Sequence, residues 1–95
     1  MALAGIPVAG LRFVGDEPAG FASSPGVTRG FCARCGTSLT IHSEAYPDEI
    51  YVSTSALDDP EALAPEVHIW TSHKLGWFET ADALPRYPRF RADGV

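Results

Sequence analysis

The sequence predicts a small all-β protein, and three observations point that way. Eight prolines and nine glycines are spread through 95 residues, which leaves little room for a helix of more than two turns. Short stretches alternate apolar and polar side chains with the two-residue period of a strand. At 45% hydrophobic and 11% aromatic, a chain of this length can bury a core, but only a thin one. One domain over 1–95 is therefore expected, with a metal, an oligomer contact or a partner contributing heavily to its stability.

Taken in order, Val8 to Val14 is apolar and loosely alternating, and Thr37 to His42 alternates through Leu39 and Ile41. Ile50 to Thr54 alternates through Val52, and Val67 to Thr71 is β-branched and aromatic. These four stretches are the expected strands. Asp58-Asp59-Pro60 sets a carboxylate before a proline, the pattern of a helix cap, with Glu61 to Leu63 completing about one turn before Pro65. A second short turn is expected from Thr80 to Pro85, and the tail over 88–95 is expected to be irregular. Four strands with this many turns are too few for a closed barrel or sandwich, so part of a larger architecture is expected to be missing. Trp70 and Trp77 read as core aromatics.

The net charge of −5 comes from 7 basic and 12 acidic residues. The one basic concentration is Arg86, Arg89 and Arg91, in a proline-containing tail. Neither a nucleic-acid partner nor a membrane surface is expected, because both need clustered cations. No run approaches the roughly 18 apolar residues of a membrane span, and Met1 to Gly10 lacks the basic start of a secretory leader. A cytoplasmic location is expected, where paired cysteines hold metal or stay reduced.

Cys32-Ala33-Arg34-Cys35-Gly36 is the most informative local signal. Two thiolates three positions apart can face one tetrahedral ion, and the small residue after the second lets backbone amides turn back to the sulfurs. A redox pair is the rival reading. It would place the first cysteine at a helix N-terminus, whereas the residues after Gly36 read as a strand. Two unconnected thiols are the third. His42, His68 and His73 are the other soft ligands, each accounted for as a strand or loop histidine. Arg29, beside the pair, is a candidate for binding a carboxylate.

The run Arg29-Gly30-Phe31-Cys32-Ala33-Arg34-Cys35-Gly36-Thr37-Ser38-Leu39 resembles the R-x-F-C-x-x-C-G-[ST]-x-L signature of the glutathione-dependent formaldehyde-activating enzyme family, which also takes in centromere protein V. Ser23-Ser24 before Gly26, Leu57-Asp58-Asp59-Pro60, Pro65, His68-Ile69-Trp70-Thr71, Lys74, Trp77 and Leu84-Pro85 before Tyr87 follow in the family's order. The resemblance therefore covers about 8–87. It implies several small coiled antiparallel sheets and a structural zinc held by four cysteines, two of them matching Cys32 and Cys35. The other two ligands come in the family from an upstream C-x-C, and a catalytic zinc from an upstream C-x-C-x-x-C. Neither element occurs in this sequence, whose only cysteines are Cys32 and Cys35.

The resemblance thus implies the C-terminal half of such a domain, related to carbon–sulfur lyases that act on glutathione–formaldehyde adducts, with zinc as cofactor and no catalytic residue of its own. Glutathione or an adduct of it is the implied ligand. A homodimer in which two cysteine pairs share one zinc, or a separate N-terminal half, would complete the site.

Overall fold

The computed structural model describes residues 1–90; residues 91–95, with Arg91 and the end of the expected tail, lie outside the described residues. The chain divides into two compact units, Met1–Leu63 and a second beginning at Ala64.

The first unit is one antiparallel sheet of five strands: β1 (Leu3–Pro7), β2 (Ala19–Ser24), β3 (Val27–Phe31), β4 (Ser38–Ser43) and β5 (Glu49–Ser53), in the order β1-β5-β4-β3-β2. The all-β expectation is met, and the described strands join one sheet rather than several. Consecutive hairpins build β2 to β5. Pro25-Gly26 turns β2 into β3, with Gly26 at φ +75°, the left-handed conformation that glycine enters without a Cβ penalty. Tyr46 N–H to Ser43 O (3.1 Å) and Glu49 N–H to Tyr46 O (3.2 Å) tighten the turn from β4 to β5. β1 then adds to the free edge of β5, secured by Val8 N–H to Asp48 O (2.8 Å) and Thr54 N–H to Ala2 O (3.0 Å).

The strands expected at Thr37–His42 and Ile50–Thr54 correspond to β4 and β5, each within a residue or so. Val8–Val14 does not form a strand: Val8–Gly10 is a 3-10 turn that begins the connection from β1 at one edge to β2 at the other. β1, β2 and β3 lie at positions where no strand was expected. Pro60–Ala62 does form a 3-10 turn, but Asp59 caps it without a side-chain hydrogen bond.

Register sorts the two faces. Gly5, Tyr51, Ile41, Arg29 and Phe21 form one cross-strand row, and Ala4, Val52, Thr40, Gly30 and Gly20 the next, on the opposite face. Gly5 leaves room for the Tyr51 ring, which a Cβ there would meet at 3.0 Å. Among the described residues no hydrophobic side chain is buried; the buried side chains are Thr40, Ser53 and Thr54. The sheet is well hydrogen-bonded, yet neither face is sealed from solvent.

In the second unit two segments run side by side. His68 N–H donates to Pro85 O and Tyr87 N–H to His68 O, both at 2.8 Å, followed by Trp70 N–H to Arg89 O (3.0 Å) and Thr71 N–H to Tyr87 O (3.1 Å). In place of the strand expected at Val67–Thr71 there is a single parallel bridge, His68 to Arg86, and then a 3-10 turn at Thr71–His73. Trp70 sits at φ 55°, unusual for a bulky side chain, and is held between Phe90, edge-on at 5.1 Å, and the Arg89 guanidinium at 5.5 Å. Trp77, expected in a core, is 79% exposed. No helix among the described residues is long and apolar enough to cross a membrane.

Candidate metal centre

Cys32 and Cys35 occupy the loop that carries β3 into β4. Cys32 N–H donates to Thr37 O (2.9 Å) and Gly36 N–H to Cys32 O (2.8 Å), so the loop closes on itself as a tight knuckle. Gly36 makes the closure possible at φ +79°, a conformation that costs other residues roughly 1–2 kcal/mol. Both cysteines are free thiols; Cys35 is exposed and Cys32 half-buried.

The local hydrogen bonding favours thiolate. Thr37 Oγ1 lies 3.0 Å from Cys35 Sγ. This hydroxyl first, then the Thr37 backbone amide and the neighbouring Cys32 side chain, hold the Cys35 thiol below its usual pKa. Thr37 belongs to the chemistry of the knuckle, a role sequence reasoning missed although its position after Cys-Gly was the signal for it. β4 follows directly at Ser38. The helix that a thioredoxin-like pair needs behind its first cysteine is replaced by a strand.

Two sulfurs on a closed turn match the chemistry of half a tetrahedral zinc site. Among the described residues no group of three or more His, Cys, Asp or Glu side chains gathers around a common point. The histidines are engaged by other partners: His42 Nε2 with Pro47 O (3.1 Å), His68 Nε2 with both carboxylate oxygens of Asp82 (3.0 Å), and His73 Nδ1 with Ser72 Oγ (3.2 Å).

Beside the knuckle lies a groove of about 470 Å³, lined by Met1, Phe21, Arg29, Phe31, Gly36 and Ile41 among others. Its walls are apolar and open, with Phe21 63% and Met1 76% exposed. Arg29 is the one cationic side chain among its described lining residues, its Nε donating to Ser23 Oγ at 3.2 Å. Spacing alone had put Arg29 next to the cysteines; the register of β3 adds the apolar floor around it.

The profile of the family described as glutathione-dependent formaldehyde-activating enzyme matches residues 9–73, more than half of the chain. The chain belongs to this family. The matched stretch includes β2 to β5, the whole knuckle and the Trp70 turn. No curated protein and no solved structure matches it.

Proposed function

We propose that this family member binds zinc through Cys32 and Cys35, and that it is related to the carbon–sulfur lyases that act on glutathione–formaldehyde adducts without catalysing that reaction as the chain stands. One observation carries the reading: two free sulfurs on a closed knuckle, with Gly36 in the left-handed conformation and the Thr37 hydroxyl 3.0 Å from Cys35 Sγ. Zinc held by thiolates in such a knuckle supplies structure, tying a loop that hydrogen bonds alone close only weakly. Its family's chemistry needs a second, catalytic ion that polarises a carbonyl or stabilises a thiolate. The two cysteines of this sequence are already assigned to the first.

Within this reading the chain's own residues bind and position. Thr37 steadies the Cys35 thiolate, Cys32 N–H and O close the loop, and Arg29 in the adjoining groove is the cation to meet a carboxylate of glutathione or of an adduct.

Zinc titration followed by metal analysis tests the reading: binding in the native protein, lost in Cys35→Ser, supports it, and thiols that stay metal-free at saturating zinc overturn it. Turnover of glutathione with formaldehyde above the spontaneous rate, by zinc-loaded protein, would overturn the absence of activity. Unchanged glutathione binding in Arg29→Ala would remove that residue from the account.

A further inference from the structure

We propose that the metal-free knuckle is an oxidation site: a hydroperoxide converts Cys32 and Cys35 into a reversible disulfide within the chain, Cys35 meeting the oxidant and Cys32 closing the bridge. Two thiols suffice for this, so it stands apart from the zinc reading above.

The fold of the loop brings the pair within reach. A disulfide needs Cα atoms no more than about 7 Å apart and side chains that face each other. Gly36 N–H to Cys32 O (2.8 Å) closes a single helix-like turn around Ala33, Arg34 and Cys35, and Cys32 N–H to Thr37 O (2.9 Å) fixes its base. Residues three apart in such a turn are neighbours, with roughly 5–6 Å between Cβ atoms. The Cys32 side chain is one of the hydrogen-bonding groups around the Cys35 thiol, so the two sulfurs share one side of the turn. A bridge wants Cβ atoms about 3.5–4.5 Å apart, and the turn must tighten by roughly 1–2 Å to make it. Ala33, Arg34, Cys35 and Gly36 are all exposed, and a Cβ built on Gly36 meets nothing within 4 Å, so packing does not oppose the adjustment.

Accessibility assigns the roles. Cys35 is exposed and Cys32 half-buried; an oxidant arriving from solvent meets Cys35 first. With hydrogen peroxide, Cys35 Sγ attacks one oxygen, the O–O bond breaks and an S–O bond forms, leaving a sulfenic acid and one water. Cys32 Sγ then attacks the Cys35 sulfur. The S–S bond forms as the S–O bond breaks, and the hydroxyl leaves with the Cys32 proton as a second water. Two electrons pass from the pair to the peroxide, and no further reactant is needed. Because Cys32 stands beside Cys35, this closure outpaces the second peroxide that would carry Cys35 to the irreversible sulfinic acid.

The product is a stored bridge rather than a relay. β4 follows the pair where a disulfide-exchanging protein places a helix. Zinc takes thiolates, so the bridge and a bound zinc are mutually exclusive states of the same two sulfurs.

The test treats the chelator-stripped 95-residue chain with one equivalent of hydrogen peroxide and reads intact mass, iodoacetamide labelling and a non-reduced peptide map. The expected result is a loss of about two mass units, the two thiol hydrogens, with both thiols closed to iodoacetamide and both restored by dithiothreitol. Cys32→Ser is expected to stop at a Cys35 sulfenic acid that dimedone captures, and Cys35→Ser to consume peroxide at least about tenfold more slowly, as its remaining thiol is the less exposed one. Equal rates in the two variants would overturn the assigned order. The native chain decides the rest even where a variant fails to fold: a disulfide between two chains, sulfinic acid without a disulfide, or thiols left untouched would each overturn the proposal. In a parallel sample loaded with zinc, oxidation is expected to be slower and to release the metal in step with thiol loss, read with a chromogenic chelator. A chain that takes up no zinc yet forms the bridge would overturn the zinc reading and leave this one standing. Zinc that stays bound after the bridge has formed would overturn the exclusivity.

Discussion

Gly30→Ala tests how closely β3 and β4 are fitted just ahead of the metal ligands. A Cβ built on Gly30 collides with Thr40 Oγ1, while Pro18 Cβ at 3.5 Å and Thr40 Cβ at 3.6 Å would be ordinary contacts. The obstacle is therefore a single atom. Thr40 is buried and branched at Cβ, so it has little freedom to turn away. Overpacking of this kind costs about 1–3 kcal/mol. Against it stands the gain of about 0.4–1 kcal/mol from the smaller conformational freedom of an unfolded alanine, leaving a net loss of up to about 2.6 kcal/mol. In a Thr40→Ala background the collision disappears and only the gain remains, so the same Gly30→Ala change becomes neutral or slightly stabilising. Thr40→Ser keeps the offending oxygen but loses the branch that fixes it, so its hydroxyl can turn aside and the relief is partial. Urea denaturation followed by far-ultraviolet circular dichroism reads the sheet directly, whereas tryptophan fluorescence reports Trp70 and Trp77 in the second unit. A Gly30→Ala penalty of equal size in the native chain, in Thr40→Ser and in Thr40→Ala would refute the argument. The ladder register also shifts between Gly30 and Phe31, two residues ahead of Cys32, and the collision is expected to weaken zinc binding along with the fold.

Three further outcomes follow from the geometry. Gly36→Ala meets no atom within 4 Å, so its cost is purely conformational, about 1–2 kcal/mol, and Gly36→Asn is expected to be milder than Ala in both urea denaturation and zinc titration. Thr37→Val removes the hydroxyl that hydrogen-bonds with Cys35 Sγ and holds its pKa down, and is expected to raise the pH at which the metal-free thiol reacts with iodoacetamide; an unchanged profile would mean that the hydroxyl does not stabilise the thiolate. The Asp82 carboxyl is held below its usual pKa, first by the His68 side chain and then by the Leu84 amide. Because its folded value is the lower one, its contribution is complete above the ordinary carboxylate range near about 3.9 and is lost as pH falls through the folded value. Acid titration of tryptophan fluorescence is expected to show that loss in the native chain but not in Asp82→Asn.

How much of this was legible in the sequence depended on how local each feature is. Cys32, Cys35 and Gly36 form their turn from residues within four positions of one another, and a turn of that size is encoded in the residues that make it. β4 and β5 were also legible, because Leu39-Thr40-Ile41 and Ile50-Tyr51-Val52 alternate clearly. β2 was not. Ala19-Gly20-Phe21-Ala22-Ser23-Ser24 has little strand propensity, and it is extended because β3 offers a ladder to pair with. The opposite case is Val67–Thr71, strongly strand-like in composition, which the backbone interrupts at the left-handed Trp70.

The sequence by itself determined the all-β class, the family and the cysteine pair, because proline and glycine spacing and a short turn motif act through covalent geometry and immediate neighbours. Only the tertiary structure decided that β1 joins β5, that the three histidines are taken up by other partners, and that Arg29 stands in an open apolar groove beside the knuckle. For the sheet and its groove the outcome depends on which distant strands exchange hydrogen bonds, and a one-residue change of register would have turned the side chains of a strand to the other face.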